Sequence, residues 1–162
     1  MSGNIHILGI GSSFADDQFG WQVVKWLENH WPETWKDQVT MATADRPGLN
    51  LLKDLEMPYR QLILIDAVNA QVPVGTTFTL KAREILEFQG FFSSHSIRVA
   101  PSLALAEVLN DPIDHVMLYG VQIQRMHQKD QIMSQTVIAK QADVSQQIQT
   151  IVTQGLAYGH SI

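Results

Sequence analysis

The sequence predicts an α/β protein: a three-layer α/β/α sandwich around a mainly parallel twisted sheet. Two observations predict it. Gln61 to Asp66 (QLILID) and His115 to Val121 (HVMLYGV) are almost wholly apolar runs of strand length, as strands buried on both faces must be. Between such runs lie segments whose apolar residues recur every three or four positions, so strands and helices alternate. Alternation of this kind implies crossover connections and a parallel sheet covered on both sides.

The elements follow in order. Ile5 to Ile10 reads as a short apolar strand that opens into Gly9-Ile10-Gly11-Ser12-Ser13. From about Asp17 to Trp31 the period is helical, with Phe19, Val23, Trp26 or Leu27, and His30 or Trp31 on one face. Asp16 or Asp17 is its expected N-cap. Val39 to Ala44 is a weaker strand and Leu49 to Leu55 a short helix. Thr76 to Leu80 is a strand entered through the turn Pro73-Val74-Gly75. Ser102 to Leu109 reads as a helix with Ser102 as cap. The last helix covers about Ala139 to Leu156, where Val144, Ile148, Ile151 and Val152 form a stripe. No repeat, low-complexity tract or linker divides the 162 residues, so a single domain over 1–162 is expected.

Composition removes several classes of function. Acidic residues outnumber basic ones, 16 to 11, and no basic run is present, so a nucleic-acid partner is not expected. With no cysteine, disulfides, thiolate metal sites and cysteine nucleophiles are all out. No apolar stretch approaches the roughly 20 residues that span a bilayer. Met1-Ser2-Gly3-Asn4 lacks the basic region of a secretory signal. The expectation is a cytoplasmic protein with no membrane partner. The tryptophans, Trp21, Trp31 and Trp35 among them, have the core as their ordinary use.

In a parallel sheet the ligand site lies outside the carboxyl ends of the strands. Three residues of metal-ligating type fall there. Asp17 follows the first strand, Asp66 terminates the strand LILID, and His95 lies in the loop Ser93-Ser94-His95-Ser96. Two carboxylates and an imidazole suit a divalent first-row ion such as nickel or zinc. Each residue also has an ordinary reading. Asp17 is a helix cap, Asp66 a loop residue or cap, and His95 a solvated histidine. The remaining histidines (His6, His30, His115, His127, His160) show no pairing at metal-binding spacing.

Two other motifs fail. Gly9-x-Gly11 after a first strand resembles the start of a dinucleotide fingerprint, but its third glycine should fall at position 14, which is Phe14. The acidic pair Asp16-Asp17 is a poor neighbour for a pyrophosphate. Ser12, Ser13, Ser93 and Ser94 lie in no G-x-S-x-G elbow, so a serine hydrolase is not expected.

The residues from Ile7 to Gly20 (ILGIGSSFADDQFG) resemble the N-terminal signature of the hydrogenase maturation endopeptidases, G-x-G-N followed by D-D/E-x-x-G. Leu64-Ile65-Asp66-Ala67 is similar to the family's strand-terminal D-A, and Pro73-x-Gly75 to the P-G turn after it. Ser93-Ser94-His95 resembles the S/T-S/T-H loop, and Tyr119-Gly120-Val121-Gln122 the late G-I/V-Q/E-P motif. The matches keep their order over about residues 5 to 125. Ser12, Gln18 and Ile123 depart from the pattern, and the stretch after His95 is longer.

The resemblance implies an α/β/α sandwich on a sheet of about five strands. It implies an endopeptidase that removes a C-terminal peptide from the [NiFe] hydrogenase large-subunit precursor after nickel insertion. Asp17, Asp66 and His95 would then be the metal ligands, with nickel supplied by the substrate. Asp17 and Asp66 would be the catalytic carboxylates. A monomer is expected. The alternative is a non-catalytic binding module or chaperone for the same subunit.

Overall fold

The protein is described by a computed structural model, in which residues 4–45, 51–88, 99–124 and 132–159 are described. Strands β1 (Ile5–Gly11), β2 (Val39–Asp45), β3 (Gln61–Val68), β4 (Thr77–Lys81) and β5 (Val116–Gln122) form one sheet in the order β2-β1-β3-β5-β4. The first four neighbours in that order run parallel; β4 pairs antiparallel to β5 at the edge. The described helices are α1 (Phe19–His30), α2 (Leu51–Glu56), α3 (Ala82–Phe88), α4 (Ala100–Val108) and α5 (Gln135–Tyr158).

The three layers follow from side-chain alternation, because successive residues of a strand face opposite sides of the sheet. Ile5, Ile7, Ile63, Ile65, Tyr119 and Val121 pack under α1 and α5, which contribute Phe19, Val23, Leu27, Val144, Ile148 and Val152. Leu8, Ile10, Leu62, Leu64, Val116 and Leu118 face the other way, onto Leu51 and Leu55 of α2, Ile85 of α3, and Leu103 and Ala106 of α4. All of β1 and β3 is buried, as the apolar runs predict. The edge strand β4 alternates between partly buried and exposed positions, while β2 is buried only at Val39.

Several expectations are corrected. Neither Asp16 nor Asp17 caps α1. A 3-10 turn, Ala15–Gln18, contains both, and Gln18 takes the cap position of α1. Ser102 lies inside α4, which begins at Ala100 after Val99. The last helix starts at Gln135, four residues before the expected Ala139. A helix, α3, follows β4 where none is expected. Asp66 does not end its strand, since β3 runs on to Val68.

The fold places a switch point between β1 and β3. From β1 the chain moves outward through α1 to β2, then returns past β1 through the α2 side to β3. Connections that leave β1 and β3 in opposite directions open a crevice at their carboxyl ends. Asp17 follows β1 and Asp66 lies in the last third of β3, so both aspartates stand at that crevice.

Candidate functional site

Close backbone packing brings the acidic turn onto the sheet. Gly20, at the second position of α1, has no room for a side chain. A Cβ there would collide with the carbonyl of Ile10 and lie 2.6 Å from the carbonyl oxygen of Ile65. A Cβ on Gly9 would collide with the carbonyl of Gly20, and one on Gly11 with that of Asp17. The glycines that begin like a dinucleotide fingerprint therefore let α1 and its preceding turn press against the ends of β1 and β3. Gly20, and not position 14, supplies the close helix–strand contact, while Phe14 stays 42 % exposed at the rim.

The turn itself is closed on both sides. The Ser12 amide donates to the Asp17 carbonyl (3.1 Å), and the Asp17 amide donates to the Phe14 carbonyl (3.0 Å). Ala15 sits at φ 42°, in the left-handed region that non-glycine residues seldom occupy. Such strain costs on the order of 1–3 kcal/mol and persists only where the surroundings over-determine it.

Asp16 and Asp17 are adjacent and both buried, yet they have different surroundings. Asp16 accepts from the Gln124 amide (3.0 Å), the Ser134 amide (2.7 Å) and the Ser134 hydroxyl (3.0 Å). Asp17 is fully buried at the carboxyl end of β1. Asp66 is also buried; its Oδ1 accepts from the Ala67 amide at 2.8 Å. Strand alternation puts Asp66 on the face of Leu62 and Leu64. Its register partner on β5 is Gly120, where a side chain would run into a methyl of Val68.

Gln122 holds the far lip of the crevice. Its Oε1 accepts from the Ala70 amide (2.7 Å), and its Nε2 donates to the Ile123 carbonyl (2.8 Å) and to Asn69 Oδ1 (3.3 Å). Its backbone carbonyl accepts from Gly75 (2.8 Å), so the Pro73-Val74-Gly75 turn is tied to the end of β5. Gly75 has φ 88°, which explains a glycine at this turn. One amide side chain thus joins the segment after β3 to the end of β5.

Of the three residues singled out in the sequence, Asp17 and Asp66 lie at the same end of the sheet, and the 3-10 turn packs against β3. His95 lies outside the described residues. Among the described residues, no three histidine or acidic side chains are gathered closely enough to hold a metal ion. Two buried carboxylates offer hard oxygen donors, which suit a divalent ion only if further donors complete the set. Sequence reasoning missed the role of Asp16, whose partners are 108 and 118 residues away. It had only the late motif around Gln122 to suggest that residue.

The E. coli hydrogenase maturating endopeptidase HybD superposes with a TM-score of 0.76 at 22 % identity, covering 94 % of this chain and 93 % of that one. A [NiFe] hydrogenase maturation protease HycI from Thermococcus kodakarensis gives 0.70 at 19 % identity, covering 93 % and 92 %. These likenesses show the same fold. The hydrogenase expression/formation protein HupD of Thiocapsa roseopersicina is 33 % identical over 121 residues, 73 % of this chain. That alignment spans about half (53 %) of the relative's own length. The family model described as hydrogenase maturation protease, HycI, matches residues 22–154. With its fold, its buried acids at the switch point and this match over most of its length, the chain belongs to the hydrogenase maturation protease family.

Proposed function

We propose that this protein is an endopeptidase that removes the C-terminal extension of a [NiFe] hydrogenase large-subunit precursor after nickel insertion. The observation that carries the reading is the placement of Asp17 and Asp66, both buried, at one crevice of a hydrogenase maturation protease fold. In this reading Asp17, Asp66 and His95 bind the nickel already held by the precursor. Three ligands leave coordination positions open, so the site shares the substrate's ion instead of retaining one. Recognition of nickel and anchoring of the scissile segment then become one event. The bound ion would supply Lewis-acid polarisation of a carbonyl or of water. A carboxylate of Asp17 or Asp66 within reach would take the proton as general base. In this reading the protein acts as a monomer in the cytoplasm.

The test mixes the purified chain with nickel-loaded and nickel-free precursor and follows precursor mass. Cleavage of the loaded form only is expected. Asp17→Asn and Asp66→Asn should each slow processing by on the order of a hundredfold or more, the usual worth of a positioned proton-transfer group. His95→Ala should do likewise. Stable binding without any mass loss would mark a chaperone and end the protease reading.

A further inference from the structure

We propose that Asp16 is a positioning residue: its carboxylate latches the acidic turn to the two chain segments at residues 124 and 134, and so sets the place of Asp17. The inference rests on the reading of Asp17 above. Three donors converge on the two oxygens of Asp16, namely the amides of Gln124 and Ser134 and the Ser134 hydroxyl, at 2.7–3.0 Å. Gln124 lies just beyond β5, and Ser134 immediately precedes α5. One side chain therefore joins the turn after β1 to the exit of β5 and the entry of α5.

Three further observations support a positioning role. Ser134 occupies the cap position of α5, where its hydroxyl ordinarily serves the helix's own amides. No such cap bond is formed, because that hydroxyl donates to Asp16. The helix forgoes a local interaction for a distant one. The turn also holds Ala15 at positive φ, a conformation that needs an external hold. Finally, α1 cannot shift to compensate, since Gly20 already touches the backbone of β1 and β3. With α1 seated and the turn latched at Asp16, Asp17 has no freedom to move from the crevice.

The experiment compares Asp16→Asn, Ser134→Ala and Ser134→Thr with the unaltered chain. Two readouts are taken: amide hydrogen exchange, and kcat and KM for precursor processing. Asparagine replaces one acceptor oxygen with a donor and should break the latch. Ser134→Ala removes one donor of three and keeps both backbone bonds, so it remains informative where Asp16→Asn unfolds. Exchange at Ser12, Asp17, Gln124 and Ser134 should quicken in Asp16→Asn, while Leu62 and Gly75 stay protected. Processing kcat should fall roughly 10- to 100-fold with little change in KM, as for other groups that orient a ligand. Ser134→Ala should fall between, and Ser134→Thr should restore the rate. Unchanged exchange at Ser12 and Asp17, or faster exchange with unchanged kcat, overturns the proposal. Processing lost in Asp17→Asn but kept in Asp16→Asn sinks only this inference. Processing kept in Asp17→Asn sinks the reading of the site itself.

Discussion

The two ends of the sheet both bury polar side chains, and they do so by opposite means. At the carboxyl end, Asp16, Asp66 and Gln122 accept from backbone amides, and Asp16 and Gln122 reach segments distant in the chain. At the amino end the buried groups are imidazoles. His6 lies on the Tyr59 ring, with centroids 4.8 Å apart and planes 11° apart, and its Nδ1 meets the Thr40 hydroxyl at 2.6 Å. His115, just before β5, buries its Nε2 without a hydrogen-bond partner among the described residues. Burial holds both imidazoles below their ordinary value, with Asp54 opposing it at His6 and Asp114 at His115. Backbone donors fix a carboxylate in place, whereas burial alone drives an imidazole to its neutral form. The first end ties its polar groups to backbone amides, and the second shields its imidazoles from water.

The largest break in this contrast should come from Gly20→Ala. The added methyl meets backbone carbonyls and not flexible side chains. α1 must lift, at about 3 kcal/mol or more, and the acidic turn must lift with it. Chemical denaturation should show that loss, and precursor processing should fall in the fraction that stays folded. A stability within 1 kcal/mol of the unaltered chain would mean the carbonyl contacts are not restrictive.

A smaller effect is expected at the other end. His115→Leu removes an unsatisfied buried nitrogen, so stability should hold or rise by up to about 1 kcal/mol. A clear loss in the same denaturation measurement would show that Nε2 has a partner after all.

The smallest effect is confined to mildly acidic solution. The folded values of His6 and His115 lie below the unfolded value of 6.5, so the unfolded chain takes up protons first as the pH falls. Their contribution is complete above about pH 6.5 and is lost as the pH drops through that value towards the lower folded ones. Asp54, raised chiefly by burial, acts in the opposite sense in the acid range. Melting temperatures at pH 7.5 and 5.5 should therefore differ, lower at 5.5, and His6→Gln with His115→Leu should narrow the gap. An unchanged gap in the double variant would remove the histidines from the account.

What was legible in the sequence depended on how local each cause is. QLILID and HVMLYGV announced buried strands because burial on both faces leaves no alternation to read. The α1 stripe of Phe19, Val23 and Leu27 was equally plain, and all three are buried. The helix α3 was missed because it begins at Ala82 directly after β4 ends at Lys81, with no turn residue to separate the two. The direction of β4 left no mark in composition. The start of α5 was misjudged because Thr136, Val137 and Ile138 in its first turn are β-branched, which weakens a helical reading. Asp17 and Asp66 were singled out from their places after the first strand and at the end of LILID, and from the motifs that resemble the family's. Asp16 looked like a helix cap, since nothing near it in sequence names partners more than a hundred residues away.

That separation bears on how the molecule comes into being. Contacts between remote stretches of a chain form late, after loop closure has been met. During synthesis β1, α1 and β3 emerge early and can dock, but the acidic turn finds its latch only when Ser134 has left the ribosome. A nascent chain thus carries a nearly complete sheet with its crevice still slack. The acidic turn and the crevice beside it are therefore completed last, when the segment at Ser134 and α5 arrives.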